Sequence, residues 1–319
     1  MIMIDQDHQL KAIEQVDSIL AEFRQYFSWP LAHRPKRVVS LVPSITDSLI
    51  QLGFGGALVG ITNFCPIPPE QRFVQKVGGP ANFDIPTILE ISPALIIGGL
   101  EENPRTELLR LGEQGFPLWV VAPLTVMDTI SFLYHIAEGF QSRQAFEQVR
   151  SLEVALSYVH SAEWAHPSPI RYFCPIWYER EKGRDSWMVF GEHTYAANLL
   201  SLFGAKNCFL IREGGEGNKT NITVGLDRRE EKSLPRYYKV SIEEILEANP
   251  NLILLPSEPY PFNQSHRAYL EQVLEGVLAV QHGNILLIDG RLIFWYGTCL
   301  GSALRELPSR LFGLDYSGL

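Results

Sequence analysis

Residues 37–62, RVVSLVPSITDSLIQLGFGGALVGIT, decide the fold. An apolar run rich in β-branched residues at 37–41 reads as a strand, 44–52 as a helix, and 58–62 as a second strand. The alternation continues with a helix at 85–91, a strand at 95–98, a helix at 104–113 and a strand at 117–122. It resumes from residue 170 with strands at 170–174 and 187–190, a helix at 195–203 and a strand at 207–211. A helix at 242–248, a strand at 252–255, a helix at 266–277, a strand at 285–288 and a last helix at 302–311 follow. Strands alternating with helices of this length imply βαβ units and parallel sheets. Between the halves, 126–140 and 142–163 read as helices. The second carries Phe146, Val149, Leu152, Leu156 and Val159 at a spacing of three to four, and about 20 helical residues span roughly 30 Å, the length of a strut. The fold class is therefore α/β: two αβ-sandwich lobes with mainly parallel sheets, bridged by a single long backbone helix, with a ligand cleft between them. The expected organisation is an N-terminal helical extension at 1–35, an N-terminal lobe at 36–124, a helical linker at 125–165 and a C-terminal lobe at 166–319.

The 319 residues suffice for two domains, each with its own core. A hydrophobic fraction of 46% and a charged fraction of 20% are globular values. A net charge of −9 argues against nucleic-acid or anionic-membrane partners, which need a basic face. The start, MIMIDQDHQLKAIEQVDSIL, has no basic region followed by an apolar one, so it does not read as a signal peptide. Ile13, Val16, Ile19, Leu20 and Phe23 fall at helical spacing instead, as on an amphipathic helix packed on the body. No stretch approaches the ~20 apolar residues of a membrane span. The expectation is a soluble, cytoplasmic monomer, or a periplasmic one if the true N-terminus lies upstream. Cys65, Cys174, Cys208 and Cys299 are scattered without a C-x-x-C pair and read as buried free thiols.

Gly53-Phe54-Gly55-Gly56 follows a helix and precedes a strand, the reverse of a dinucleotide-binding loop, so it reads as a helix cap. Ser44 with Asp47 reads as a capping box. The eight histidines show no metal-binding spacing, and no catalytic triad motif is present. His193, between a strand and a helix, is a candidate for facing a ligand. The polar stretch 212–238 reads as a surface excursion.

Aromatic clusters carry the stronger signal. Pro175-Ile176-Trp177-Tyr178, Glu258-Pro259-Tyr260-Pro261-Phe262 and Phe294-Trp295-Tyr296-Gly297 each follow a predicted strand. The carboxyl ends of parallel strands share one edge, so these loops are expected to converge on a stacking surface for a broad, largely apolar ligand. From the first half, Asn63-Phe64-Cys65-Pro66, Gly79-Pro80-Ala81-Asn82-Phe83 and Glu101-Glu102-Asn103 are expected to face the ligand. Glu101 and Glu102 admit three readings: a charged helix start, ligand contacts, or general acid and base.

The segments at 37–44, 58–62 and 88–97, with the strut helix, resemble the cobalamin and ferric-siderophore substrate-binding proteins of ABC importers, the helical-backbone (class III) type. The resemblance runs from Pro35 to Leu311. Pro175-Ile176-Trp177, the run 187–191, the run 255–262 and Ile288-Asp289-Gly290 with Trp295-Tyr296-Gly297 look like a leaderless subgroup described as cobalamin-binding. The resemblance implies that Trp295 lies against a corrin and that Trp177, Tyr260 and Tyr296 are wall residues. It also implies a permease-docking acid at Glu243, whereas the matching position of the first lobe falls on Pro86. Ile67 stands where such relatives have a histidine two residues after the cysteine.

The function read from the sequence is non-catalytic binding of a large metal-containing macrocycle, most simply cobalamin or another corrinoid, with no catalytic residue, no protein-held metal and no catalytic cofactor. The ligand-binding candidates are Trp295, Tyr296, Trp177, Tyr260, Glu258, Glu101, Glu102, Asn103, Phe64, Cys65, Phe83 and His193. A ferric-siderophore or heme-type ligand is the first alternative, with an ABC permease as the possible partner. A metal-cofactor enzyme or assembly factor using Glu101, Glu102, Cys65 or His193 is the second.

Overall fold

The computed structural model describes residues 6–31, 33–67, 73–161, 169–181, 183–209 and 237–313. The expected excursion at 212–238 lies almost wholly outside them, as does the end of the strand expected at 207–211. The chain divides into two compact units. The first takes residues up to Val154 and regains Tyr296–Cys299, and the second begins at Ala155.

In the first unit, helix α1 (Gln6–Phe23) precedes strand β1 (Val38–Ser40), helix α2 (Pro43–Gln51) and strands β2 (Leu58–Ile61) and β3 (Gln75–Lys76). The short strands β4 (Gly78–Gly79) and β5 (Asn82–Phe83) form a hairpin. Helix α3 (Ile85–Ile91), strand β6 (Leu95–Gly99), helix α4 (Arg105–Gly112), strand β7 (Leu118–Val121) and helix α5 (Val126–Gly139) follow, and helix α6 (Arg143–Ser161) begins in this unit and ends in the second. The sheet order is β3-β2-β1-β6-β7, with every pair parallel. Val38, Val39, Ile96, Ile97 and Leu118 are wholly buried, as strands covered on both faces require. Ile19 and Phe23 of α1 join this core, and Arg105 grips Glu22 through both carboxylate oxygens. Gly53, at φ +84, ends α2 as its composition implied. Ser44 does not cap that helix. Val42 is the N-cap without a side-chain bond, and Pro43 supplies the first turn, where a missing N–H costs nothing.

The second unit holds strands β8 (Arg171–Phe173), β9 (Pro175–Glu181) and β10 (Arg184–Phe190), helix α7 (Tyr195–Ser201), and strands β11 (Lys206–Asn207) and β12 (Tyr237–Val240). Helix α8 (Ile242–Ala248), strand β13 (Leu252–Pro256), helices α9 (Gln264–Val273) and α10 (Leu278–Gln281), strand β14 (Ile285–Ile288), and helices α11 (Arg291–Phe294) and α12 (Leu300–Phe312) complete it. Four strands, ordered β11-β8-β13-β14, form a parallel sheet. The other three, ordered β12-β10-β9, are antiparallel, a departure from the expected alternation. Residues 175–178, read as a loop, belong to β9, and Gly183 at φ +78 sits between β9 and β10. The helix expected at 266–277 is α9, which starts two residues earlier and stops at its C-cap, Leu274.

Phe146 also departs from its expected place. Val149 and Leu156 of α6 are buried, but Phe146 is 47% exposed, off the buried stripe. All four cysteines are free thiols, with Cys65 and Cys174 buried and Cys208 and Cys299 only half-buried. Among the described residues no helix is long and apolar enough to cross a membrane.

Candidate functional site

In the first unit the strands deliver the turn Glu101-Glu102-Asn103 just past the carboxyl end of β6. Asn103 is wholly buried, and its amide is fully spent. Its Oδ1 accepts from the Gly99 N–H at 2.9 Å, and its Nδ2 donates to the carbonyls of Leu41 and Pro80. It is a strap that holds the turn, not a ligand contact. Phe83 likewise belongs to the core.

Glu102 is half-buried, and the Tyr296 hydroxyl donates to its Oε2 at 3.5 Å. Gly99 leaves room for both: a Cβ there would meet the Glu102 carboxylate and lie 2.8 Å from the Tyr296 hydroxyl. Burial, then the neighbouring charge of Glu101, pushes the Glu102 carboxyl from 4.5 up to about 8. It is therefore largely a neutral acid at pH 7, able to donate as well as accept. Tyr296 is buried, not a wall with an open face. Phe132 meets its ring edge-on at 6.1 Å, and burial with Glu102 beside it holds the phenol un-ionised.

Tyr296 is kept there by the residues that follow it. The Thr298 N–H donates to Ser48 Oγ at 3.1 Å, and Gly297, at φ +96, packs so closely on Ser48 that no Cβ fits. Sequence reading grouped Phe294, Trp295 and Tyr296 as one cluster. The structure divides them, placing Trp295 with the second unit and Tyr296 with the first.

Cys65 is buried, its thiol 3.0 Å from the hydroxyls of both Thr46 and Thr62. Burial raises its pKa, so it is not an activated nucleophile. Lys76 closes the same turn by donating to the carbonyls of Thr62, Asn63 and Cys65. Phe64, the residue before Cys65, is 74% exposed.

In the second unit Trp177, on a strand and 42% exposed, meets Tyr260 edge-on at 5.2 Å. These two do come together. Tyr260 also packs on Phe262 and His266. The parallel pairing of β13 and β14 sets Glu258 beside Asp289-Gly290-Arg291. The Gly290 N–H donates to Ser257 Oγ at 3.2 Å, and Gly290 lies against the Glu258 backbone too tightly for a side chain. Glu258 Oε1 is buried and has no hydrogen-bond partner among the described residues. Burial and the nearby Asp289 raise its pKa, while Arg291 lowers it. Arg291 binds Asp289 through Nε and Nη2 and lies over the Trp295 ring, 5.8 Å from its centroid. Sequence reading missed Arg291; its position two residues after Asp289, just past a strand end, was the available signal. His193 is buried, with Nε2 3.6 Å from Glu192 Oε1. Among the described residues no three His, Cys, Asp or Glu side chains gather as a metal site.

Two αβ units with aromatic and carboxyl groups past their strand ends define a binding protein. Residues 38–292 match the periplasmic binding protein family, and the chain belongs to it. It is a ligand-binding, non-catalytic protein, which sets aside the enzyme alternative. The chain is 25% identical over 265 residues to the vitamin B12-binding protein of Vibrio cholerae, covering 80% of this chain and 81% of that one. It is also 25% identical over 180 residues to the vitamin B12-binding protein of Pectobacterium atrosepticum, a match spanning 55% of this chain and 62% of that protein, less than two thirds of its length. Among solved structures, the periplasmic vitamin B12 binding protein BtuF of Vibrio cholerae has a TM-score of 0.68 at 19% identity, covering 88% of this chain and 98% of that one. The periplasmic heme-binding protein RhuT from Roseiflexus sp. RS-1 gives 0.66 at 19% identity, covering 87% and 98%.

Proposed function

We propose that the protein binds a corrinoid for ABC import, with Trp295, Trp177 and Tyr260 as its aromatic contacts and Glu102 and Glu258 as its polar ones. The observation that carries this reading is the chemistry of Glu102. A carboxyl held neutral near pH 7 suits the amide donors and acceptors around a corrin, while the Glu101 charge beside it repels the carboxylates of a heme or the oxyanions of a ferric siderophore. Glu258 adds a buried acceptor without a partner, which a ligand N–H would satisfy. The relatives named for vitamin B12 point the same way. Glu243 is exposed in the first turn of α8, and Asp84, the exposed N-cap of α3, offers a carboxylate two residues before Pro86. The pair supports docking on a permease.

A heme-type ligand is the second reading, favoured by Arg291, a guanidinium set over an indole. Titration with cyanocobalamin, cobinamide, hemin and a ferric siderophore, followed by absorbance and thermal melting, separates the two. A ligand at 100 times its Kd adds about 2.7 kcal/mol of stability. Silence with both corrinoids overturns the first reading.

A further inference from the structure

The second notable feature of the first unit lies away from its strand ends. Helices α5 and α6 follow one another across Gln141 at φ +51 and touch through Tyr134, whose ring lies 4.8 Å from that of Phe146, and residues of both line a groove of about 920 Å³. Its lining includes the buried apolar residues Ile130 and Ala137 beside Tyr134. Met127 and Phe146 stand over it at 57% and 47% exposure, and Val154, two turns further along α6, is 59% exposed. A surface helix normally turns such residues inward, and an apolar strip left open on a helix pair marks an interaction surface. The groove lining carries Glu138, Glu147 and Glu153 against one guanidinium, Arg143, and the charge of Arg150 also reaches Tyr134. Two of these carboxylates are fixed in place, Glu138 by the Trp29 indole N–H and Glu153 by the Tyr134 hydroxyl at 2.6 Å.

We propose that this groove docks one α-helix of a partner protein, apolar along one face and flanked by lysine or arginine. An apolar groove of this kind takes the apolar face of an amphipathic helix, and the acidic walls choose the sign of its flanks. A second copy of this chain is the poorer occupant, because a two-fold contact would set the same carboxylates against each other.

The test uses the full chain and labelled helical peptides about five turns long: one of leucine and alanine with lysine flanks, one with glutamate flanks, and a lysine peptide of equal composition scrambled to have no apolar face. The lysine-flanked helix binds at least about tenfold tighter than the other two, a gap of about 1.4 kcal/mol. Met127→Asp and Phe146→Asp remove that preference while melting temperature holds, since both side chains are already exposed. Glu147→Lys shifts the preference towards the glutamate-flanked helix. Equal binding of all three peptides overturns the proposal. So does lysine-peptide binding that survives both aspartate variants, or a concentration-dependent dimer in sedimentation that those variants abolish.

Discussion

Glu102 and Glu258 are both carboxyls set just past the end of a parallel strand, one in each unit, each with an acidic neighbour, but only Glu258 also has a guanidinium beside it. Glu102 has a carboxylate for a neighbour, and burial with that charge takes it up to about 8. Glu258 is raised too, by burial first and by Asp289 second, with Arg291 opposing them as the smallest of the three influences. Both are buried acids beside another acid; what sets Glu258 apart is the Arg291 guanidinium, which is tethered to Asp289 and opposes the rise.

The comparison breaks most visibly at Asn103. Asn103→Ala strips three hydrogen bonds from a buried turn and leaves their backbone partners unpaired. It should destabilise the protein by about 2–4 kcal/mol, read by urea unfolding, while a substitution at exposed Phe64 should not. Next comes pH. The unfolded carboxyl of Glu102 titrates at 4.5 and the folded one at about 8, so between these values the folded state holds a proton that the unfolded state has lost. Stability therefore falls as pH rises through that window and levels off above it, by a few kcal/mol at about 1.4 for each pH unit. Glu102→Gln should flatten that slope; an unchanged slope would place the titration elsewhere. Trp295→Ala should weaken corrinoid binding by about 1–3 kcal/mol, roughly 5- to 150-fold, with melting temperature nearly unchanged. If binding survives, the ring over which Arg291 lies is not a ligand contact. The smallest effect is expected at Asp289→Asn, under about 1 kcal/mol in stability, since the Asp289–Arg291 pair is partly exposed. Its informative readout is the Glu258 carbon resonance, whose titration should move to lower pH once the repelling charge is gone and Arg291 is released.

The order of strands and helices was legible because each core strand is an apolar run flanked by turn residues, as in 38–40 and 95–99. Partner choice was not. Nothing local in 175–178 distinguishes a loop past a strand from a strand that folds back, and β12, beyond residues 210–236, completes the antiparallel sheet. The candidate site was half legible. Aromatic runs announced Trp177 and Tyr260, which meet. The residues misplaced were those whose polarity suggested a ligand but whose hydrogen bonds go to backbone, Asn103 above all, and the capping assigned to Ser44, which Pro43 makes unnecessary. Phe146 was misplaced because helical spacing alone does not fix which of two adjacent stripes meets the core.

Tyr296–Cys299 has a consequence for how the molecule is made. The first unit is chemically incomplete as a chain segment, since four residues of it emerge from the ribosome only after nearly all of the second unit has been synthesised. Until then Ser48 lacks the Thr298 amide and Glu102 lacks the Tyr296 hydroxyl that meet them in the finished protein. Vectorial synthesis thus delivers a nearly complete first unit early and its last piece late, so its acidic strand end reaches final form only near release of the chain.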